Sequence, residues 1–207
     1  MKLFWSDRSP FVRKVMIAVH ELDLVERVQL IPTMVKPTDV DPELFRHNPF
    51  GQIPTLITDD GSSRYDSFVI CNYLDDLAGR GQLFPNEAAR RAGAFRRHAL
   101  GDGMILLLLR LFGTRMGMSL DPVTAPIEVL TAKCERVFEE IALSDLTPAV
   151  RPPDVGDIAV AVALAYSCFR LPDLNWQKRH PRLADWYADI AQRPSMMATA
   201  FSVTPRH

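Results

Sequence analysis

Apolar and polar positions change rhythm a little before the middle of the chain. Up to about residue 79, short apolar runs alternate with stretches of helical spacing. Leu3, Phe4 and Trp5 predict a strand over 2–5, and Val12, Val15, Met16 and Val19 stripe a helix over 11–22. A second strand is expected over 28–31 and a short helix over 41–47, stopped by Asn48-Pro49. A third strand over 55–58 turns at Asp60-Gly61 into a hairpin partner over 63–65. Ile70, Tyr73, Leu74 and Leu77 then mark a helix over 67–78. A βαβ unit followed by a hairpin and a helix is an α/β layer arrangement.

After residue 86 no strand-like alternation remains. A long helical pattern covers 87 to about 115, with Gly101 and Gly103 as the place for a kink. Ile127, Leu130, Cys134, Val137, Phe138 and Ile141 stripe the next helix. Residues 158–166 are apolar on every side, which predicts a helix buried all round. Its entrance, Asp154-Val155-Gly156-Asp157, resembles a capping box with aspartate at both positions. Leu183, Trp186, Tyr187 and Ile190 stripe a last helix, cut off by Arg193-Pro194. The expected organisation is an α/β domain over 1–79, a linker over 80–86 and an all-helical domain over 87–207.

Composition narrows the function classes. In 207 residues, 24 basic and 25 acidic side chains nearly cancel, so no global attraction to nucleic acid or an anionic membrane is expected. The cluster Arg90, Arg91, Arg96, Arg97 and His98 reads as a solvated face or a dimer rim, since no aromatics interleave with it. Cys71, Cys134 and Cys168 lie far apart without metal-ligand spacing, as expected of buried thiols in a reducing compartment. The start turns polar after five residues, unlike a signal peptide, and the apolar run from Met104 to Leu109 is too short to cross a bilayer. The expectation is a cytoplasmic protein without membrane or nucleic-acid partners.

Three short segments can carry chemistry. In SPFVRKV, residues 9–15, a proline opens a helix and Ser9 stands where an N-cap belongs. Its hydroxyl is either a plain cap or a donor to an anion at the helix's positive end. In NPFGQIPTL, residues 48–56, Ile53-Pro54 precedes a strand and is a candidate for the cis form. That form leaves the Ile53 main chain free to pair with an extended peptide, strand to strand. In Tyr65-Asp66-Ser67, at a strand-to-helix junction, Ser67 can offer its hydroxyl and backbone N–H groups to a carboxylate while Asp66 pairs with an ammonium.

The order SPFVRKV, NPFGQIPTL, YDSFVICNYL, then a linker and an all-helical half resembles a cytosolic glutathione transferase. The likeness spans nearly the whole chain, and DIAVAVALAY is similar to that family's buried helix. The resemblance implies a thioredoxin-like first domain that binds glutathione as co-substrate, a helical second domain shaping a pocket for a small hydrophobic electrophile, a homodimer, a part in detoxification, and no metal. Position by position it implies that Ser9 is the catalytic residue, as in the theta, zeta and tau branches, with Ser6 as the rival hydroxyl. It places the cysteinyl part of glutathione on the Ile53 backbone, its γ-glutamyl end on Asp66 and Ser67, and its backbone or glycyl end near Gln52. The acid is an aspartate where glutamate is commoner, and the tyrosine of the alpha, mu and pi branches has no counterpart among Phe4, Trp5, Ser6 and Asp7. Asp102 is either a contact to a partner subunit's glutathione or a simple exposed charge. Arg115, Phe169 or Trp176 are candidates to line the electrophile pocket. Isomerisation, dehalogenation or peroxide reduction, or a non-catalytic binding or regulatory role on the same fold, stand as alternatives.

Overall fold

In the computed structural model, which describes residues 1–35, 40–79, 81–118, 125–148 and 150–202, strand β1 (Lys2–Trp5) organises the first of two units. It pairs in parallel with β2 (Gln29–Pro32) and antiparallel with β3 (Thr55–Ile57), and β3 pairs antiparallel with β4 (Ser63–Arg64). The sheet order is β2-β1-β3-β4. Successive β1 residues point to opposite faces, yet Leu3 and Phe4 are both buried, so both faces are covered. Helix α2 (Pro42–His47) covers the Phe4 face, its His47 ring 5.9 Å from the Phe4 ring. Helices α1 (Pro10–Glu21) and α3 (Ser67–Ala78) pack on each other through stripes that bury Val12, Val15 and Val19 on one and Ile70 and Leu74 on the other.

Caps fix where these helices begin and end. Ser9 caps α1, Asp41 caps α2 through the N–H groups of Glu43 and Leu44, and Asp66 caps α3. Gly79, at φ 64°, closes α3 in the left-handed region that glycine adopts freely. Strand β2 begins one residue later than expected, because Val28 closes a 3₁₀ turn over Val25–Arg27.

The second unit, Pro85–Arg193, is helical. It contains α4 (Ala88–Arg115), α5 (Ile127–Ala142), α6 (Val155–Arg170), α7 (Trp176–Arg179) and α8 (Pro181–Ala191). Every residue of α6 from Val155 to Ser167 is buried, as the unbroken apolar stretch predicted. Helix α4 runs as one element through both glycines. Gly101 serves a close approach: a Cβ there would fall 2.5 Å from the Ala159 carbonyl carbon of α6. At Gly156 a Cβ would lie 2.3 Å from the Ala94 oxygen, so the two backbones meet at two points.

The expected capping box is present. Asp154 accepts from the N–H groups of Gly156 and Asp157 at 2.9 and 3.0 Å, and Asp157 accepts from Asp154 N–H at 3.1 Å. Arg97 joins it, which corrects the reading of the basic cluster as a solvated face. The residue is 8 % exposed, and its guanidinium pairs with Asp154, lies 3.2 Å from Asp157 Oδ1 and donates to the Asp145 carbonyl at 2.8 Å. Burial and the adjacent Asp157 carboxylate push Asp154 upward from its ordinary pKa, while Arg97 pulls the other way. Two carboxylates this close are tolerable because Arg97 sits between them and the α5–α6 connection.

The chain's end departs from the expected domain boundaries. Residues 194–202 group with Met1–Phe84 and not with the helical unit. Pro194, taken as a terminator, opens a further helix, α9 (Pro194–Ala198), since proline is at ease at a first helical position. Arg80 of the expected linker lies outside the described residues.

The α4–α6 contact makes a stability prediction. Gly101→Ala should destabilise by about 1–3 kcal/mol through overpacking, roughly 3–10 °C in the unfolding midpoint at this size. Gly103→Ala, where an added methyl meets nothing within 4 Å, should be neutral or stabilising by up to about 1 kcal/mol. Thermal unfolding of the two variants measures the contrast; equal midpoints would refute the close approach.

Candidate functional site

Strand pairing brings the three chemistry-bearing segments to one end of the sheet. Phe4 of β1 sits opposite Thr55 of β3, and Leu56 of β3 opposite Arg64 of β4. The end of β1, the start of β3 and the end of β4 therefore lie side by side. Ser9 follows β1 by four residues, Ile53-Pro54 immediately precedes β3, and Tyr65-Asp66-Ser67 immediately follows β4.

Ser9 is half-buried at the N-cap of α1, and its Oγ accepts the Val12 N–H at 3.2 Å. Among the described residues no acceptor takes its hydroxyl proton. Ser6 stands three residues earlier in the turn, its Oγ accepting from Arg8 N–H at 3.4 Å and its carbonyl from Ser9 N–H at 3.4 Å. Of the two hydroxyls, only that of Ser9 lies at the helix's positive end.

The Ile53-Pro54 bond is cis, as the sequence suggested, and so is Tyr65-Asp66, which the sequence did not suggest. Ile53 stands outside the β3 ladder, and its N–H and C=O make no hydrogen bond to another described residue. Gln52 has an exposed side chain, while its carbonyl accepts from Asn48 Nδ2 at 3.0 Å and Thr55 Oγ1 at 2.8 Å. Asp66 is exposed, and its Oδ1 accepts from the N–H groups of Phe68 and Val69 at 3.0 and 3.4 Å. Its second oxygen has no partner among the described residues. With those two N–H groups occupied, the N–H of buried Ser67 and its hydroxyl are the donors left at the start of α3.

Asn48 is the residue the sequence reading passed over. It is 2 % exposed and ties the loop together, donating from Nδ2 to the Gln52 carbonyl and to Thr55 Oγ1 at 2.9 Å and accepting Phe50 N–H at 3.0 Å. Gly51, at φ 58°, lies so close to the Phe45 ring that a Cβ would reach 2.3 Å. An asparagine followed by proline and glycine before a strand was the available signal, read only as a helix stop. Asp102 is less exposed than a simple surface charge, 22 % at its side chain and 3.5 Å from His98 Nε2. Trp176 cannot line an open pocket. It is 1 % exposed, stacked on Phe138 at 5.9 Å and edge-on to Tyr187 at 5.6 Å. Arg115 pairs with Asp173 at 2.8 and 2.9 Å, and the Arg170 guanidinium lies 4.2 Å from the centre of the Phe169 ring.

Cys71 and Cys134 are buried and Cys168 is half-buried, all as free thiols. Burial pushes Cys134 up to about 11, away from nucleophilic character. Among the described residues no group of three or more His, Cys, Asp or Glu side chains is arranged to hold a metal, and no single helix is long and apolar enough to cross a membrane.

Comparison with known proteins bears on both units. Residues 8–77 match a model described as glutathione S-transferase, N-terminal domain, and residues 132–189 one described as glutathione S-transferase, C-terminal domain. A crystal structure of a glutathione transferase family member from Pseudomonas fluorescens Pf-5, with bound glutathione, is 34 % identical. The match covers 98 % of this chain and 99 % of that one, with a TM-score of 0.87. A second structure from that organism holds S-(propanoic acid)-glutathione; it is 33 % identical over 98 % and 100 % of the chains, TM-score 0.85. An uncharacterized GST-like protein of Escherichia coli K12, YibF, is 26 % identical over 96 % of this chain and 98 % of its own length.

Proposed function

Because the chain belongs to the glutathione S-transferase family, we propose that it is a serine-type glutathione transferase, using Ser9 to stabilise the glutathione thiolate for attack on a small electrophile. One observation supports this reading above the rest. The Ser9 hydroxyl has its oxygen engaged by Val12 and its proton undirected, at the end of the sheet where the Ile53 main chain and the Asp66-Ser67 pair also lie. Glutathione is a tripeptide with an ammonium, two carboxylates and a thiol. An extended main-chain edge, an acid and a helix N-terminus match those groups in kind.

The chemistry asked of Ser9 is modest. A cysteine-like thiol with a pKa near ~8.5 is mostly protonated at neutral pH. Lowering it by about two units takes roughly 2.7 kcal/mol of preference for the thiolate. A hydrogen bond to a charged acceptor supplies about 1.5–3 kcal/mol, and the positive end of α1 adds about 0.3–1 kcal/mol. The serine donates a hydrogen bond to sulfur and forms no covalent bond. The thiolate then attacks the electrophile's carbon and expels a leaving group, or adds to a carbon–carbon double bond whose far carbon takes a proton. A carboxylic acid of either kind, able to leave a propanoic acid group on sulfur, belongs in the test panel because a relative's structure holds that adduct. The protein acts as a cytoplasmic homodimer in this reading.

Ser9→Ala should lower kcat about 10–100-fold, the loss of one charge-assisted bond, while glutathione affinity measured below the bound thiol's ionisation stays within about twofold. Steady-state assays across an electrophile panel and calorimetric titration with glutathione measure the pair. Full turnover in the variant removes Ser9 from the mechanism. Glutathione binding by the native chain without turnover on any electrophile makes it a binding protein of the same fold.

Asp66→Asn separates capping from ligand recognition. Asparagine caps as well as aspartate, so the unfolding midpoint should hold. Loss of a charge-assisted bond to the ammonium should weaken glutathione about tenfold. An unaltered Kd would leave Asp66 as a cap alone.

A further inference from the structure

Beyond the three ligand-facing segments, the first unit contains a piece of chain that its own first 84 residues do not supply. Residues 194–202 lie against α1 and are fastened along its length. Arg13, one turn into α1, is 7 % exposed; its Nη2 donates to the Met196 carbonyl at 3.1 Å and its Nε to Thr199 Oγ1 at 3.5 Å. Its guanidinium also lies 4.5 Å from the centre of the Phe201 ring, a cation–π distance. At the other end of the helix, Ser195 Oγ donates to Glu21 Oε1 at 2.5 Å. Ser195 and Met196 are themselves buried, and Thr199 Oγ1 donates back to the Ser195 carbonyl at 2.8 Å, which stiffens the segment.

Arg13 is also tied to the site through the backbone. Its N–H donates to the Ser9 carbonyl at 3.0 Å, the first helical hydrogen bond of α1. Helix termini fray first, and a fraying first turn would blur the direction of both the Ser9 hydroxyl and the helix dipole. A donor works on a thiolate only when its geometry is held to within about half an ångström. A buried guanidinium gripping a carbonyl, a hydroxyl and a ring holds the turn in place.

We propose that residues 194–202 form a strap that fixes the first turn of α1, with Arg13 as a positioning residue that sets how Ser9 meets the glutathione sulfur. This rests on the serine-transferase reading. The strap touches no ligand and acts through Ser9 alone. Its loss therefore changes the ionisation of the bound thiol and leaves the recognition of the rest of glutathione in place.

The test uses the full-length chain, with Arg13→Ala and, on the strap itself, Phe201→Ala. Thiolate absorbance of bound glutathione against pH gives its ionisation, and the pH profile of kcat/KM for the electrophile at saturating glutathione reports the same group kinetically. In both variants the ionisation should move upward and kcat/KM near neutral pH should fall about fivefold. The rates should converge with the native chain at pH values above both ionisations. A merely structural role would lower stability and leave the profile unmoved, and that result overturns the proposal. If Arg13→Ala does not fold, the Phe201→Ala profile decides alone. A native chain that binds glutathione with an ordinary thiol ionisation removes the transferase reading and the strap with it. A native chain with a lowered ionisation and two variants that match it removes only the strap.

Discussion

The first turn of a helix presents N–H groups that nothing within the helix can satisfy, and this protein answers them with groups that keep something in reserve. Ser9 answers Val12 with a lone pair of its oxygen and retains its proton. Asp66 answers Phe68 and Val69 with one carboxylate oxygen and retains the other. Capping and ligand recognition are then not rival accounts of the same residue. The cap fixes the side chain's direction, and the unused donor or acceptor is aimed by the bond already made.

Those two helix starts are useful together only because the sheet aligns them. One residue of slip between β1 and β3 would move Ile53 along the edge and reverse which side chains reach the core. The register is guarded by burial of Leu3, Phe4 and Leu56, and by Asn48, which bonds the loop on both sides of Ile53-Pro54. Strand β4 has two residues and cannot hold its place by ladder bonds alone. Thr58 Oγ1 donates to Asp60 Oδ1 at 2.5 Å and lies 2.9 Å from the Ser62 carbonyl, closing the turn before it. The Thr58 hydroxyl, with the Ser62 N–H that Asp60 Oδ1 accepts at 3.0 Å, holds the Asp60 carboxyl down at about 2, so the turn keeps its charged acceptor at any pH well above that value. The His47 ring, 3.0 Å from Ser63 Oγ, ties β4 to α2.

What the sequence disclosed follows from how local each signal is. Strand β1, helix α3 and the Asp154–Asp157 capping box came out at their observed positions, because each is set by residues within a few places of one another. The mixed α/β unit followed by helices was legible for the same reason. Arg97 was misread because its two carboxylate partners lie 57 and 60 residues away, and one arginine among five basic residues gives no sign of turning inward. Gly101 looked like a kink and Gly156 like part of a cap, since a glycine's role in letting two helices approach is written on the other helix. Residues 194–202 were assigned to the wrong body: Arg193-Pro194 signals an end to one helix, and nothing local says that the chain returns to α1. At the candidate site, Ser9, Ile53, Asp66 and Ser67 were proposed from motif and turn chemistry, whereas Asn48 works through loop bonds that only folding reveals.

The same double use of Ser9 bears on how strong a donor it can be. A hydroxyl that accepts a hydrogen bond is polarised, and its own proton becomes a better donor, by about 10–30 % per bond. The Val12 N–H that makes this bond belongs to the positive end of α1, so in the proposed reaction the helix would act on the sulfur twice, through its field and through the hydroxyl. A tyrosine in this role would bring a more acidic proton. The serine depends instead on a helix start that does not move. That dependence gives a physical reason for a buried arginine one turn along and for a returning segment of chain to hold it.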